Sequence, residues 1–223
     1  DIWFMFFLIL SLYSATYFFK KNKIKYFYLL PLFVSLSINV RMIGIYIYLI
    51  FLLLFFLNFI FDKNKKNLKF ISQTSLQILI LIISLYILTP QVWTDPIFKF
   101  AELFYGQLTN SDINPKILFM GHMKDSADLN SYYLILWIAI STPVMTLILF
   151  LMGLTLIFLK LFKLLSVKKT NPSLILILLY LFLPLFAVLA FQPNIFNGWR
   201  HFYFLYPGIV FIATYAINFI LEE

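Results

Sequence analysis

Long apolar runs alternate with short basic or polar breaks along this 223-residue chain. The first run, Ile2–Phe19, stops at Lys20-Lys21-Asn22-Lys23-Ile24-Lys25. The next, Tyr26 to Phe61, is too long for one membrane crossing, which takes about 20 residues. It is interrupted at Asn39-Val40-Arg41-Met42-Ile43-Gly44, so the pattern predicts two spans, Tyr26–Ile38 and Met42–Phe61. A fourth span, Phe70–Leu88, follows Asp62-Lys63-Asn64-Lys65-Lys66-Asn67-Leu68-Lys69. Its early polar residues Ser72, Gln73, Thr74 and Gln77 are expected to face protein. It ends at Thr89-Pro90, because the residue before a proline is pushed out of the α region. A fifth span is expected within Tyr132–Leu159, kinked or entered at Pro143, then a sixth over Leu174–Phe191 and a seventh over Tyr203–Leu221. The short alternating segments of a β-barrel are not visible. The pattern therefore predicts an all-α integral membrane fold, with about seven transmembrane helices in a single polytopic domain over residues 1–223.

One connection breaks the rhythm. Residues 91–130 form the longest polar stretch. Within it Thr94-Asp95-Pro96 is a helix-start signal, with Asp95 at the N-cap and Pro96 at the first helical position. Ile97, Phe100, Ala101 and Phe104 then recur at helical spacing, with Lys99 and Glu102 on another face. This predicts one amphipathic helix lying in the membrane interface. After Gly106 the composition, Thr-Asn-Ser-Asp-Ile-Asn-Pro, reads as loop.

Composition agrees with this picture. The chain is 63% hydrophobic and only 12% charged, against about 25% charged in soluble domains. The net charge of +8 is mostly lysine in short loops, which marks topology and not nucleic-acid binding. The loops after spans one, three and five carry Lys20, Lys21, Lys23 and Lys25, then Lys63, Lys65, Lys66 and Lys69, then Lys160, Lys163, Lys168 and Lys169. The positive-inside rule puts these loops in the cytoplasm. The Arg41 break, the 91–130 connection and the Trp199-Arg200-His201 turn are then expected together on the extracytoplasmic face. The chain opens on Asp1 with neither an initiator methionine nor a signal peptide, and is read as the C-terminal part of a longer membrane protein.

The chemistry must come from that face. Two histidines and no cysteine leave no ligand set for a structural zinc site, so no metal site is expected. Phosphate-cradling glycine loops, GxSxG and HExxH are absent. Arg41 and Arg200 are the only arginines, and a guanidinium fork at a membrane surface suits a phosphate. Both residues also fit a snorkelling role, without any ligand. His201 adds a donor beside Arg200, and His122 with Lys124 offers polar groups in the long connection. Asp125 and Asp128 are the carboxylates there that could act as a base, or belong to a solvated loop. Trp93, Trp137 and Trp199 suit an aromatic belt, or stacking on a sugar or isoprenoid.

Several patches together resemble a known family. Asn197-Gly198-Trp199-Arg200-His201-Phe202-Tyr203-Phe204-Leu205-Tyr206-Pro207 resembles the end of the membrane domain in bacterial glycosyltransferases of the family 39 type. These are related to dolichyl-phosphate-mannose protein mannosyltransferases and to lipid A aminoarabinose transferase. Thr89-Pro90-Gln91-Val92-Trp93-Thr94-Asp95-Pro96 is similar to the family's Pro-x-x-Trp-x-x-Pro segment. Asn130-Ser131-Tyr132-Tyr133 with Trp137 and Thr142-Pro143 is similar to its entry into the next span, and Asn39 to Gly44 to a basic-x-x-Gly element.

The resemblance implies part of the GT-C membrane fold, in a bacterial inner membrane. It also implies transfer of a sugar from a polyprenyl-phosphate donor to an acceptor lipid, glycan or protein on the extracytoplasmic face. It casts Arg41 and Arg200 as holders of the donor phosphate, and Trp199, His201, Tyr203, Trp93, His122 and Lys124 as pocket residues. The family's catalytic carboxylate lies in a first outer loop that precedes residue 1, so the chain alone is expected to be inactive. The resemblance names no cofactor beyond the polyprenyl-phosphate sugar and leaves open whether a divalent metal takes part. Two other readings fit a lipid-facing chain: a transporter or flippase of lipid-linked sugars, and a non-catalytic component of an envelope assembly complex. Mid-span residues are nearly all Leu, Ile and Phe, which does not favour a transport path.

Overall fold

The computed structural model describes residues 2–61, 67–109, 115–130, 132–166, 171–191, 195 and 198–222. Lys63, Lys65, Lys66, Lys168 and Lys169, the loop 110–114, Ser131, Asn197 and Asp1 lie outside the described residues. The protein is an all-α membrane protein: among the described residues six helical segments, Ile2–Lys21, Met42–Ile60, Ile71–Leu88, Val144–Lys163, Pro172–Phe191 and Arg200–Glu222, are long and apolar enough to cross a bilayer. A seventh apolar helix, α2 (Ile24–Val40), has 17 residues. At 1.5 Å per residue it is about 25 Å long, slightly under the thickness of a hydrocarbon core. The chain forms two compact units, Asp1–Thr109 with Pro172–Leu176, and Asn110–Asn171 with Ile177–Glu223.

In the first unit, α1 (Ile2–Lys21) packs along α2, and α2 packs on α3 (Ile45–Phe61) and α4 (Asn67–Leu88). Phenylalanines close the contact: Phe27 lies 5.0 Å from Phe18 and 5.1 Å from Phe55, ring centre to ring centre. Pro31 sits inside α2 and removes the N–H that would bond the carbonyl four residues earlier, that of Phe27. The buried Gln77 of α4 donates its Nε2 to that carbonyl at 2.6 Å. Of the early polar residues of α4, Gln77 faces protein as expected, whereas Ser72 is exposed. The α4 packing face has turned away from Ser72 by the time the helix meets α2.

In the second unit the expected fifth span is entered at Pro143 and not kinked there. Pro143 separates a nine-residue helix, α6 (Tyr133–Ser141), from α7 (Val144–Ser166). The nine residues of α6 rise only about 14 Å, so the crossing belongs to α7 alone. Next come α8 (Pro172–Phe191), whose first turn belongs to the first unit, and α9 (Tyr206–Glu222). Gly153 of α7 lies so close to the backbone of Ile212 in α9 that a Cβ there would collide with the Ile212 carbonyl. The hydroxyl of Tyr180, in α8, donates to the Phe204 carbonyl.

The 91–130 connection is more ordered than its composition implies. The helix α5 (Pro96–Thr109) starts at the expected proline but runs past Gly106. A two-stranded antiparallel hairpin follows, β1 (Lys116–Phe119) and β2 (His122–Asp125), in register Lys116 with Asp125 and Phe119 with His122. Met120 and Gly121 both take positive φ, as a two-residue turn with the matching twist requires. The hairpin lies just beyond the stretch read as loop, whose residues 110–114 lie outside the described residues, and the Ser126 N–H closes its base on the Pro115 carbonyl at 3.1 Å.

Candidate functional site

Among the described residues of the first unit a pocket forms around the break that separates α2 from α3. The helix ends at Val40, and Arg41 turns into extended backbone, with φ −150° and ψ 126°. Its N–H still bonds the Ser37 carbonyl at 2.9 Å, and its own carbonyl accepts from Gly44 at 3.0 Å. Gly44 is required there because a Cβ would run into the Ser37 Oγ. The Arg41 guanidinium is centred 5.9 Å from the ring of the buried Phe4, a cation–π arrangement that steadies it against the α1 surface.

Two side chains complete the other wall. Asn39 Nδ2 donates to the Leu88 carbonyl and to Thr89 Oγ1, each at 2.7 Å. It thereby satisfies a carbonyl at the end of α4 that has no helical partner. Pro90 leaves a second carbonyl short of a donor, that of Tyr86, and Trp93 Nε1 fills the gap at 2.7 Å. Trp93 is therefore bound to the helix end through its polar edge, while its ring stays half exposed.

The resulting cavity has a volume of about 400 Å³ and lies between Asn39, Arg41, Thr89, Gln91, Phe100 and Leu103. Cavities of this size suit part of a lipid or a small ligand. Phe100 and Leu103 come from α5, so that helix turns one edge toward the pocket. Ile97, Phe98 and Tyr105 stay highly exposed. Lys99 and Glu102 pair at 2.7 Å on a further side, and the Glu102 carboxylate beside it raises the Lys99 ammonium above its ordinary pKa. The helix thus has three sides: a pocket edge, a bare apolar side and a charged side, as an interfacial position requires. The expected apolar stripe is modified in one respect: Phe100 faces the pocket, and Ile97 and Ala101 do not.

The second unit builds the turn before α9. Gly198 has φ +65°, and its N–H donates to the Tyr133 hydroxyl at 3.1 Å. Trp199 is buried in a cluster with Phe119, Tyr133, Leu134, Val188 and Ile195. Its ring lies 5.0 Å from Tyr203 and 6.1 Å from Tyr206. The 3-10 turn Arg200–Leu205 repeats every three residues, which sets Arg200 on the same side as Tyr203 and Tyr206. Those two rings stack at 5.4 Å, nearly parallel, and Arg200, His201 and Tyr203 are exposed beside them. This makes a cationic turn on a stacked aromatic base.

The structure thus distributes the expected site residues. Arg41 and Trp93 belong to the first unit; Arg200, His201, Tyr203, Trp199, His122 and Lys124 belong to the second. His122 and Lys124 lie on β2, opposite Phe119 and Ile117. Asp125 ends that strand, and Asp128 ends the 3-10 turn Ser126–Asp128 that follows it. Sequence reasoning missed Asn39, Thr89 and Gln91 as pocket walls, although all three stood inside segments singled out for other reasons. Among the described residues no group of three or more His, Cys, Asp or Glu side chains is placed to hold a metal ion. Comparison with protein-family models, with characterised proteins and with solved structures finds no match to this chain.

Proposed function

We propose that the protein serves glycosyl transfer from a polyprenyl-phosphate sugar, and that the Arg41 pocket receives the donor's lipid-linked phosphate. The observation that carries this reading is the make-up of that pocket. A guanidinium braced on Phe4 stands beside Asn39, Thr89 and Gln91, with Ile38, Val40, Phe100 and Leu103 around them. A phosphate needs the first group and an isoprenoid chain needs the second. The leaving group in such a reaction is the lipid phosphate, and a fixed cation at that phosphate lowers the barrier electrostatically.

The pocket residues include no carboxylate, so the pocket supplies binding and charge stabilisation but not a base. Arg200 with Tyr203 and Tyr206 would offer a second cationic surface for phosphate or sugar. The lysine-poor ends of the helices, which carry Arg41 and Arg200, are assigned to the extracytoplasmic face of a bacterial inner membrane. The acceptor would be a lipid, glycan or protein reached from that side.

The test is sugar transfer by the full-length protein in membranes carrying a polyprenyl-phosphate sugar. Arg41→Ala should cut transfer by about tenfold or more, and Arg41→Lys should restore only part of it, because the fork is lost while the charge remains. Unchanged transfer in Arg41→Ala would end the proposal.

A further inference from the structure

The β1–β2 hairpin has one face that nothing in its own unit covers. Leu118 and Met123 are opposite each other across the ladder, and Met120 stands at the tip. They are 66%, 63% and 64% exposed. Side chains alternate along a strand, so this face points away from the side that Phe119 buries. Three large apolar groups together on a short hairpin form a patch that a water-facing loop seldom carries.

We infer that this hairpin is a membrane-interface anchor, with Leu118, Met120 and Met123 seated in the headgroup layer and Lys116, on the same face, directed to anionic lipid phosphates. The attachment is rigid. Phe119 packs 5.0 Å from Tyr133 and 6.1 Å from Tyr132, and Ile117 joins the same cluster. The Tyr132 hydroxyl reaches the Met120 sulfur at 3.9 Å.

The occupant follows from continuity. Tyr133 opens α6, α6 leads through Pro143 into α7, and α7 contains a membrane span. Ile135, Ile140, Val144 and Met145 are exposed along that route, so the bare apolar surface extends from the hairpin into the span. Lipid that covers α7 meets α6 and then the hairpin. Lys116 stands at the base of the patch face, across the ladder from Asp125, while Lys124 lies on the Phe119 face; a cation at the patch edge favours an anionic headgroup layer. Tyr132, half exposed between hairpin and helix, is the residue type that prefers this depth. The inference rests on the membrane fold and does not depend on the proposed glycosyl transfer.

The chain has no cysteine, so each cysteine placed in it is a unique label site within these residues. Nitroxide labels at Leu118→Cys, Met120→Cys and Met123→Cys, in full-length protein in nanodiscs with anionic lipid, would be compared with His122→Cys, on the opposite face, and Asp128→Cys. The readout is the ratio of collision with oxygen, which concentrates in lipid, to collision with a water-soluble nickel chelate. The ratio should be several-fold higher at 118, 120 and 123 than at 122 and 128. It should fall at 120 when Lys116 is changed to Gln, or when the lipid is made neutral. High nickel contact at 118, 120 and 123 would mean a water-facing hairpin and overturn the inference. Shielding from both reagents would mean a protein cover, from this chain or a second copy, and overturn it equally. A ratio at 120 that ignores both Lys116 and lipid charge would overturn the headgroup contact.

Discussion

The bond from Gln77 to the Phe27 carbonyl makes a demanding test of the helix packing. Pro31 has no N–H, so within α2 the Phe27 carbonyl has no donor four residues ahead. Gln77 supplies one at 2.6 Å from a buried position on α4. Gln77→Leu keeps approximate volume and removes the donor. Side-chain hydrogen bonds between helices in membranes average about 0.6 kcal/mol and reach about 1.7 kcal/mol. Here the acceptor has no helical alternative, so the loss should be near the upper end, about 1.5 kcal/mol, or roughly tenfold in the unfolding equilibrium. Pro31→Ala restores the backbone donor. In that background Gln77→Leu should cost much less, leaving a coupling of about 1 kcal/mol in a double-mutant cycle. The assay is reversible unfolding in mixed detergent, or steric trapping in bicelles. An equal cost of Gln77→Leu with and without Pro31 would refute the reasoning.

Three other substitutions test separate contacts. Gly153→Ala should lower stability by about 1–3 kcal/mol in the same unfolding assay, because α7 and α9 must separate to admit the Cβ against the Ile212 carbonyl. Gly198→Ala should cost about 1 kcal/mol from its left-handed backbone alone, and its Cβ would meet Trp137 at 3.4 Å; the loss would register as a lower thermal midpoint. Trp93→Phe removes the donor to the Tyr86 carbonyl at about 1 kcal/mol, and hydrogen exchange of the residue-92 and residue-93 amides should speed up several-fold while the amides of α1 stay unchanged.

Some of this architecture was readable in advance because lipid imposes a simple rule. Apolar runs such as Pro172–Phe191 and Val144–Lys163 can satisfy their backbone groups in hydrocarbon only as helices. The Asn39–Gly44 break was equally plain, since a cation and a glycine interrupt two apolar runs, and the pocket lies there. Other features depended on partners that a linear pattern does not reveal. Gln77 could be assigned to a protein-facing side, but its acceptor, 50 residues earlier, is defined only once α2 and α4 meet. The hairpin was hidden by strand length: four residues carry too little alternation, and Met120 is not a residue type that advertises positive φ, although Gly121 was a clue. Gly106 suggested a stop that α5 ignores, because one glycine costs a helix only about 1 kcal/mol. Trp199 read equally well as a belt residue or a pocket wall, and is instead buried against Tyr203 and Tyr206.

The central claim is that the Arg41 pocket holds a lipid-linked phosphate, and binding tests it more directly than turnover. Purified full-length protein in nanodiscs would be titrated with a short polyprenyl phosphate and, in parallel, with the matching polyprenol, with Kd read by intrinsic fluorescence or native mass spectrometry. The phosphate should bind more tightly than the alcohol. Arg41→Ala should weaken the phosphate by about 10- to 100-fold, the range for loss of a charge-assisted hydrogen bond, and leave the alcohol unchanged. Equal affinity for phosphate and alcohol, or an unchanged phosphate Kd in Arg41→Ala, would contradict that claim.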